Sequence, residues 1–387
     1  MDVLHVTQPT IAGVKRVVLD LVKDQSQRGL DVAVACPSDS SMTDALDELC
    51  VRHIPWTASR SPGPSVLKET WALRRIVRNL NPKVVHLHSS KAGLAGRLAV
   101  RGSIPTVFHP HGWSFLAVNG PVKAATLAWE RFACRWTDVT ICVSDSERRL
   151  GAETGLRSTW EVIQNGVDLD IWNSPTPYSR DNARTELNLP LDAVLAVCVG
   201  RLQRQKGQDL LLNAWQPISE RFPNARLLLV GDGPDRDELE AVAGDRVTFV
   251  GQRNDVRNWM LAADLIVMPS RWEGLSLAML EAMACGCAII ATDVSGMQEA
   301  AGDDAACIVP PEDIGNLRLQ IERMIEAPEE RDALGKKARA RVEKHFDFKT
   351  TCEHVRNVYS RLSGLRCGND RSIAAERDRL LSQEVVQ

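Results

Sequence analysis

The sequence has no Cys-x-x-Cys pair, although it contains ten cysteines in 387 residues. Zinc sites and thiol redox motifs depend on such closely spaced pairs, so their absence argues against both. The closest pair, Cys285 and Cys287, flanks a glycine at the end of a predicted helix. Cys36, Cys142 and Cys198 lie inside apolar runs, where free cysteine behaves as a small hydrophobe. We therefore expect reduced, mostly buried thiols in a cytosolic protein.

Long apolar runs and an excess of one charge are also missing. No run approaches the ~20 apolar residues that a membrane span needs. The chain begins directly with the apolar run 3–6, without a basic segment before a long apolar one, so we expect no signal peptide. The 47 Lys+Arg residues oppose 50 Asp+Glu residues, a net charge of −3, which argues against nucleic acid as a partner. We expect a cytoplasmic protein; peripheral contact with the inner surface of the membrane stays open.

Short apolar runs alternate with helical patterns along the chain, and this alternation predicts parallel sheets covered by helices on both faces. The length favours two domains. Residues 173–193 are polar and contain several prolines, as expected of a linker. We therefore predict a division into four parts: an N-terminal domain over 1–170, a C-terminal domain over 171–346, a helix over about 347–362, and a polar tail over 363–387.

In parallel sheets, ligands bind beyond the carboxyl ends of the strands, and three loops there stand out in the first half. Ala12 and Gly13 form a small-residue turn that lets a backbone approach a ligand, or serves only as a tight turn. Ser89 and Lys91 open a helix, which suits a phosphate but also an ordinary N-cap. His111 lies in a loop after a strand, so it is a candidate functional residue as well as a candidate core histidine.

The predicted helix over 122–136 has apolar residues along one stripe and basic residues elsewhere. A helix with tryptophan and basic residues can lie on a membrane, but more often such a stripe is buried. We expect this stripe to face the core. It consists of Val122, Ala125, Trp129, Phe132 and Trp136.

The second half places charged residues in two loops at strand ends. Arg201 and Lys206 follow the first predicted strand of this half, and two fixed cations suit a leaving diphosphate. Glu273 lies in a loop and Glu281 inside the following helix, for which Ser276 is the expected N-cap. Glu281 then lies five residues into the helix, roughly 7–8 Å along the helix axis from its N-terminal end. Two acids around a helix N-terminus would suit an elongated anion such as a nucleotide diphosphate sugar, but the spacing alone equally fits two ordinary solvated glutamates.

Three blocks together resemble the retaining glycosyltransferases of family 4, which have the GT-B fold. They are G-R-L-x4-K-G at 200–207, Glu-x7-Glu at 273–281 continuing as E-A-M-A-C-G, and N-G-V-D at 165–168. The resemblance extends to about residue 362. It implies an α/β protein with two Rossmann-like, doubly wound domains that face a central cleft, and a C-terminal helix that crosses back to the N-terminal domain.

The resemblance also assigns roles by position. It implies catalytic roles for His111, Glu273, Arg201 and Lys206. Glu281 would bind the ribose and Glu273 the sugar, within a donor site made of Gly13, Arg201, Lys206, Arg253, Glu273, Gly274, Leu275, Ser276, Leu277 and Glu281. The segment 86–93 is similar to one in capsule and exopolysaccharide transferases, and it implies an acceptor site at Ala12, Ser89, Lys91 and Trp113, with Arg97 near the acceptor phosphates. Ala12 stands where the family usually has glycine.

The implied activity is transfer of a hexose or N-acetylhexosamine from a nucleotide sugar, expected to be a UDP-sugar, with retention of configuration. The acceptor would be a glycan or a polyprenyl-diphosphate-linked sugar in cell-surface polysaccharide synthesis. We expect no metal and no cofactor, and we interpret the one Asp-x-Asp, at 168–170, as structural. Two alternatives are a nucleotide-sugar epimerase on the same fold and a non-catalytic subunit that binds sugar nucleotides.

Overall fold

A computed structural model describes residues 1–38, 40–59, 63–172 and 180–365. The chain divides into two compact units. Unit 1 contains Met1–Val143, Arg148–Ile163 and the chain from Lys349 onward, and unit 2 contains Ser144–Glu147 and Gln164–Phe348. Part of the predicted linker, residues 173–179, and the predicted tail from residue 366 lie outside the described residues.

Unit 1 is built on a parallel sheet of seven described strands. Their order is β3-β2-β1-β4-β5-β6-β7. The strands are β1 (Val3–Thr7), β2 (Val32–Cys36), β3 (Arg52–Pro55), β4 (Val84–His88), β5 (Thr106–His109), β6 (Val139–Cys142) and β7 (Trp160–Val162). Its helices are α1 (Ala12–Gln27), α2 (Ser40–Glu48), α3 (Val66–Leu80), α4 (Ser89–Val100), α5 (Gly120–Ala133), α6 (Asp145–Glu153), whose first turn groups with unit 2, and α15 (Phe348–Ser363).

Unit 2 repeats this architecture with six described parallel strands in the order β10-β9-β8-β11-β12-β13. They are β8 (Val194–Val199), β9 (Ala225–Val230), β10 (Val247–Gly251), β11 (Leu265–Met268), β12 (Ala288–Thr292) and β13 (Cys307–Val309). The helices are α7 (Arg180–Glu186), α8 (Gln208–Arg221), α9 (Arg236–Val242), α10 (Val256–Ala262), α11 (Leu277–Ala284), α12 (Gly296–Ala301), α13 (Ile314–Glu326) and α14 (Pro328–His345).

Both sheets confirm the predicted α/β class. Central strands such as β1 and β12 are buried along their whole length, which explains why they read as continuous apolar runs rather than as alternating patterns. The linker predicted over 173–193 is wrong in part, because α7 lies within it and its buried Arg184 forms an ion pair with Asp264. The sequence prediction also missed α2 and β3, and β3 is the edge strand of the first sheet. β3 is only half-buried and has no continuous apolar run to mark it.

The C-terminal helical pattern from 328 to 362 is two helices, α14 and α15. The break falls where Phe346 is buried and its carbonyl accepts a hydrogen bond from the amide of Val167, at 2.9 Å. α15 then packs on unit 1. Its Arg356 forms an ion pair with Asp24 of α1, and its Tyr359 hydroxyl lies 2.6 Å from His86 Nδ1.

The apolar stripe of α5 is not in the core, so that expectation is wrong. Val122 is 59% exposed and Phe132 is 43% exposed. The side of α5 that packs inward carries Glu130 and Ala133. The Glu130 carboxylate forms an ion pair there with the buried guanidinium of Arg97, at 2.8 Å. Val122, Ala125 and Phe132 of the stripe are exposed, and Trp129 and Trp136 are half-buried.

All nine cysteines in the described part of the chain are free thiols, and six of them are buried. Among the described residues, no helix is both long enough and apolar enough to cross a bilayer.

Candidate functional site

The candidate donor site of unit 2 lies where the strand order of its sheet reverses, between β8 and β11. The chain runs outward from β8 to β10 and then returns to the other side of β8, so the loops after β8 and β11 leave the sheet in opposite directions. Such a switch point leaves a crevice beyond the carboxyl ends of the strands, where ligands of open parallel sheets bind. The loop after β8 carries Arg201 and Lys206, and the loop after β11 carries Glu273.

Lys206 and Glu273 join the two loops directly. The Lys206 ammonium donates to Oε1 of Glu273, which also accepts a hydrogen bond from the Ser270 hydroxyl at 2.9 Å. The side chain of Glu273 is 7% exposed and that of Lys206 is 18% exposed. Oε2 of Glu273 accepts no hydrogen bond from the described residues, so this buried carboxylate keeps one oxygen for a ligand hydroxyl.

Arg201 supplies a cation that has no ion-pair partner among the described residues. Its Nη1 is buried and makes no hydrogen bond with any described residue, and its guanidinium forms no ion pair in the described part of the chain. A buried N–H group without an acceptor costs about 1–3 kcal/mol, more when it is charged. Its backbone is held, because Gln208 Nε2 donates to the Arg201 carbonyl at 3.0 Å. This arrangement suits an anionic ligand that supplies the missing acceptor.

The loop after β8 is fixed by close backbone packing. Gly207 has φ +67°, and a Cβ at this position would lie 2.0 Å from the carbonyl oxygen of Pro269, so only glycine fits. The backbone carbonyl of the neighbouring Gln205 accepts a hydrogen bond from the amide of Arg271 at 2.8 Å. The side-chain Nε2 of Gln205 donates a hydrogen bond to the Trp272 carbonyl at 3.0 Å. These contacts hold the two loops in register.

The segment before α11 is held from two sides. Gly296 N donates to the Gly274 carbonyl at 2.8 Å, and Asn165 Nδ2 donates to the Leu275 carbonyl at 2.8 Å. Asn165 is buried, and its Oδ1 has no partner among the described residues. Sequence analysis gave Asn165 no role, although the N-G-V-D block contains it. The structure makes it a positioning residue for the Gly274–Leu277 backbone.

Ser276 is the N-cap of α11, as predicted, and Glu281 is the fifth residue of that helix. Arg253, predicted as a donor contact, forms a bidentate ion pair with Asp255, with N–O distances of 2.7 and 2.8 Å. The Arg253 guanidinium lowers the pKa of the Asp255 carboxyl. Asp168 Oδ1 accepts a hydrogen bond from the backbone N–H of Asp170 at 3.0 Å, and the structural interpretation of the 168–170 acids stays a prediction.

In unit 1, three non-glycine residues adopt left-handed backbone conformations in the loops after β1, β4 and β5. These are Ala12 (φ +56°), Ser89 (φ +68°) and His111 (φ +54°). Ala12 therefore keeps the conformation that glycine would take, although its methyl group remains. Each such residue costs of order 1–3 kcal/mol, and this kind of strain clusters at functional sites. Gly13 follows Ala12 in the first turn of α1.

Five histidines from β1, β4, β5 and the loop after β5 stack behind these loops. Four of them, His5, His86, His88 and His109, are at most 2% exposed. The fifth, His111, stacks on His109 with ring centroids 3.7 Å apart. Sequence analysis selected only His111 from this group. His5, His86 and His109 fall inside predicted strands, and His88 begins the loop after one.

A hydrogen-bonded chain links His111 to α1. Gln25 Oε1 lies 2.8 Å from His5 Nε2, His5 Nδ1 lies 2.9 Å from His88 Nε2, and His88 Nδ1 lies 3.0 Å from His111 Nε2. Because an amide oxygen only accepts, His5 Nε2 carries the first proton, and each following ring must donate through Nε2 and accept through Nδ1. His111 is thereby fixed with its proton on Nε2 and with Nδ1 as an acceptor.

Burial keeps this group neutral. Desolvation lowers the pKa of His5 to about 4 and that of His111 to about 3, and it holds those of His86, His88 and His109 well below the usual value. Two triads of these rings come within reach of a shared ion. Several of their nitrogens already bond to one another, and those hydrogen bonds would have to break for the nitrogens to hold an ion.

Three of the predicted acceptor residues lie in the core instead. Lys91 is 4% exposed and forms an ion pair with Glu69 at 2.6 Å, and Arg97 is 1% exposed and pairs with Glu130. Trp113 is buried against Phe115 in the core of unit 1. All three side chains are buried in this structure, and their acceptor roles stay predictions. Ser89 is half-buried, and its hydroxyl donates to the carbonyl of Gln8.

Comparison with known proteins defines the class. The family model "Glycosyltransferase Family 4" matches residues 11–171, and the model "Glycosyl transferases group 1" matches residues 193–327. The structure of Anabaena Alr3699/HepE in complex with UDP and glucose superposes with a TM-score of 0.81 over 93% of this chain and 99% of that one, at 22% identity. The fold is therefore that of a GT-B glycosyltransferase.

Two curated relatives narrow this to a family. The putative teichuronic acid biosynthesis glycosyltransferase TuaC of Bacillus subtilis is 31% identical over 78% of this chain and 82% of its own length. The UDP-Gal:alpha-D-GlcNAc-diphosphoundecaprenol alpha-1,3-galactosyltransferase of Escherichia coli is 29% identical over 76% of this chain and 80% of its own length. The chain belongs to glycosyltransferase family 4.

Proposed function

We propose that this glycosyltransferase moves a hexose or N-acetylhexosamine from a UDP-sugar to a polyprenyl-diphosphate-linked or glycan acceptor, with retention of anomeric configuration. The observation that carries the proposal is the Arg201 guanidinium, which has a buried N–H without an acceptor in the same loop as the Lys206–Glu273 pair. The Escherichia coli relative is named for a UDP-sugar donor and a diphosphoundecaprenol-linked acceptor. The Anabaena structure is a complex with UDP and glucose.

In this mechanism, the residues of unit 2 hold the donor. Arg201 and Lys206 neutralise the diphosphate, on which negative charge develops as the bond to the sugar breaks. Oε2 of Glu273 accepts a hydrogen bond from a sugar hydroxyl, and Glu281 accepts hydrogen bonds from the ribose hydroxyls. The backbone N–H groups from Gly274 to Leu277 face the sugar and the phosphates. The catalytic role that the family resemblance gives to His111 would be that of a neutral imidazole with a fixed tautomer.

The acceptor hydroxyl attacks the anomeric carbon on the face from which the diphosphate leaves. The bond from that carbon to the phosphate oxygen breaks with its electron pair on the diphosphate, and a phosphate oxygen takes the acceptor proton. The products are a glycoside and a nucleoside diphosphate. No step requires a metal ion, because fixed cations supply the positive charge.

The test is to incubate the protein with UDP-hexoses, UDP-N-acetylhexosamines and a polyprenyl-diphosphate-linked sugar, and to assign the anomeric configuration of the product by NMR. We expect an α-linked product from an α-linked donor, in the presence of a chelator as well as without it. A β-linked product would contradict retention. Failure with the lipid-linked acceptor, together with turnover of a soluble glycan, would contradict that acceptor class.

The two alternatives give different results. An epimerase converts the donor when no acceptor is present. A non-catalytic subunit binds the donor but yields no product with any acceptor. The Glu273→Gln protein separates binding from catalysis, because we expect it to lose transfer by a larger factor than it loses donor affinity. A screen of thermal stabilisation by UDP-, GDP-, ADP- and dTDP-sugars identifies the base.

A further inference from the structure

The region between residues 66 and 136 of unit 1 is strongly basic, although the whole chain is slightly acidic. It contains eleven lysines and arginines but only two acids, Glu69 and Glu130, a net charge of +9 against −3 for the chain. This region supplies three successive helices, α3, α4 and α5. A local excess of this size within an acidic protein indicates a surface selected for an anionic partner.

Both acids are turned inward. Glu69 of α3 is 3% exposed and pairs with Lys91 of α4, and Glu130 of α5 is 2% exposed and pairs with Arg97 of α4. The two ion pairs therefore place α4 between α3 and α5, and they remove the only negative charges from the outer surface of the three helices. We call this outer surface the α3–α5 face.

Nine basic side chains of this region remain, and all are exposed. Lys83, in the loop before β4, forms an ion pair with Asp2 at 2.9 Å. The other eight form no ion pair with a described residue, so their charge is not neutralised locally. They are Lys68, Arg74, Arg75, Arg78, Arg101, Lys123, Arg131 and Arg135.

Large apolar side chains are exposed among these cations. On α3, Leu67 is 78% exposed and Trp71 is 68% exposed, and the two are four residues apart, so they are neighbours on the helix surface. On α5, Val122 and Phe132 are exposed, and the Arg135 guanidinium lies over the Phe132 ring at 4.0 Å. Apolar and aromatic residues flanked by cations are the composition of helices that lie in the interface of a membrane.

We propose that the α3–α5 face binds the surface of a bilayer that contains anionic phospholipids. The cations contact the headgroups, and Leu67, Trp71, Val122 and Phe132 enter the boundary with the acyl chains. Exposed Leu and Val favour lipid over nucleic acid, because aliphatic side chains offer no stacking surface for bases. The inference deepens the proposed function by placing the enzyme where a lipid-linked acceptor lies, and its test uses neither donor nor acceptor.

The first test measures co-sedimentation of the full chain with vesicles of phosphatidylglycerol and phosphatidylcholine, and with vesicles of phosphatidylcholine alone. We expect binding to the anionic vesicles, and weaker binding at high salt. Each cation near such a surface contributes about fivefold in affinity, so the Arg74→Gln/Arg75→Gln/Arg78→Gln protein should bind of order a hundredfold more weakly. The matched control Arg318→Gln/Lys336→Gln/Lys337→Gln removes three exposed cations from unit 2 and should bind like the wild type.

The second test removes apolar contacts without changing charge. Leu67→Ser/Trp71→Ser should weaken vesicle binding, whereas Val242→Ser/Leu319→Ser, which changes exposed residues of unit 2, should not. Equal loss in the face and control variants would overturn the proposal, as would equal binding to vesicles without anionic lipid. Binding of single-stranded oligonucleotides without binding of vesicles would assign the face to nucleic acid instead. All substituted side chains are exposed, and thermal melts check that the variants fold.

Discussion

The buried histidines of unit 1 make a quantitative prediction about acid stability. Desolvation lowers the pKa of His5 to about 4, and it holds the pKa values of His86, His88 and His109 well below the usual one. In the unfolded chain each of them titrates near pH 6.5. Below about pH 6.5 the unfolded state therefore binds more protons than the folded state, and stability falls as the pH falls.

The size of the effect follows from the number of groups. Between about pH 7.5 and pH 5.5, a histidine that stays neutral when folded costs roughly 1.4 kcal/mol of stability. Four such residues together cost about 5 kcal/mol, which is comparable to the whole stability of many domains. The loss should begin near pH 6.5 and continue down to about pH 4, where folded His5 itself takes a proton.

Urea titrations followed by methyl NMR measure this separately in each unit. Ile141 of β6 reports unit 1, and Ile290 of β12 reports unit 2. Seven of the eight histidines lie in unit 1, and His345 is the one in unit 2. We expect the unit 1 midpoint to fall steeply on acidification while the unit 2 midpoint changes little. Equal falls in both units would refute this account of the histidine cluster.

His109 provides a variant that isolates one member of the cluster. Both of its ring nitrogens are buried without a partner among the described residues. His109→Phe keeps a stacked ring and removes two unsatisfied polar atoms, so it should stabilise unit 1 by about 1–3 kcal/mol at neutral pH. It should also reduce the acid loss by roughly 1.4 kcal/mol. His345→Gln, at an exposed position, should leave both quantities unchanged.

Three further predictions concern individual contacts. Arg97→Met leaves the Glu130 carboxylate buried without a partner and should destabilise unit 1 by about 3–5 kcal/mol in urea unfolding, whereas Arg101→Met at an exposed position should cost less than about 0.5 kcal/mol. Lys206→Met leaves the buried Glu273 carboxylate without its ion-pair partner and should destabilise unit 2 by about 2 kcal/mol in urea unfolding. Adding Glu273→Gln should recover part of the lost stability, whereas additive losses of stability in the double variant would show that the pair is not coupled. Gly207→Ala places a Cβ against the Pro269 carbonyl and should abolish stabilisation by UDP in thermal melts.

The fold could be predicted because its signals are local. Buried parallel strands such as β8 and β11 are continuous apolar runs, and the helices between them have their own periodicity. The residues of the candidate donor site lie directly after those strands, so their positions at one edge of the sheet followed from the topology. The contact between Lys206 and Glu273 could therefore be predicted, whereas the chemistry of these residues stays a prediction.

The contacts that sequence analysis could not predict join distant parts of the chain. The partner of Arg97, Glu130, lies 33 residues away on another helix. The His5–His88 contact spans 83 residues. No local sequence pattern indicates which distant residues form such pairs.

The central claim is that Arg201 holds the diphosphate of the donor. Isothermal titration of UDP and of uridine tests it directly, with Arg204→Met as a control, because Arg204 is an exposed arginine of the same loop. A charged hydrogen bond contributes about 1.5–3 kcal/mol, so Arg201→Met should weaken UDP binding roughly 10- to 100-fold and leave uridine binding unchanged. Wild-type affinity for UDP in Arg201→Met, or an equal loss in Arg204→Met, would contradict the claim.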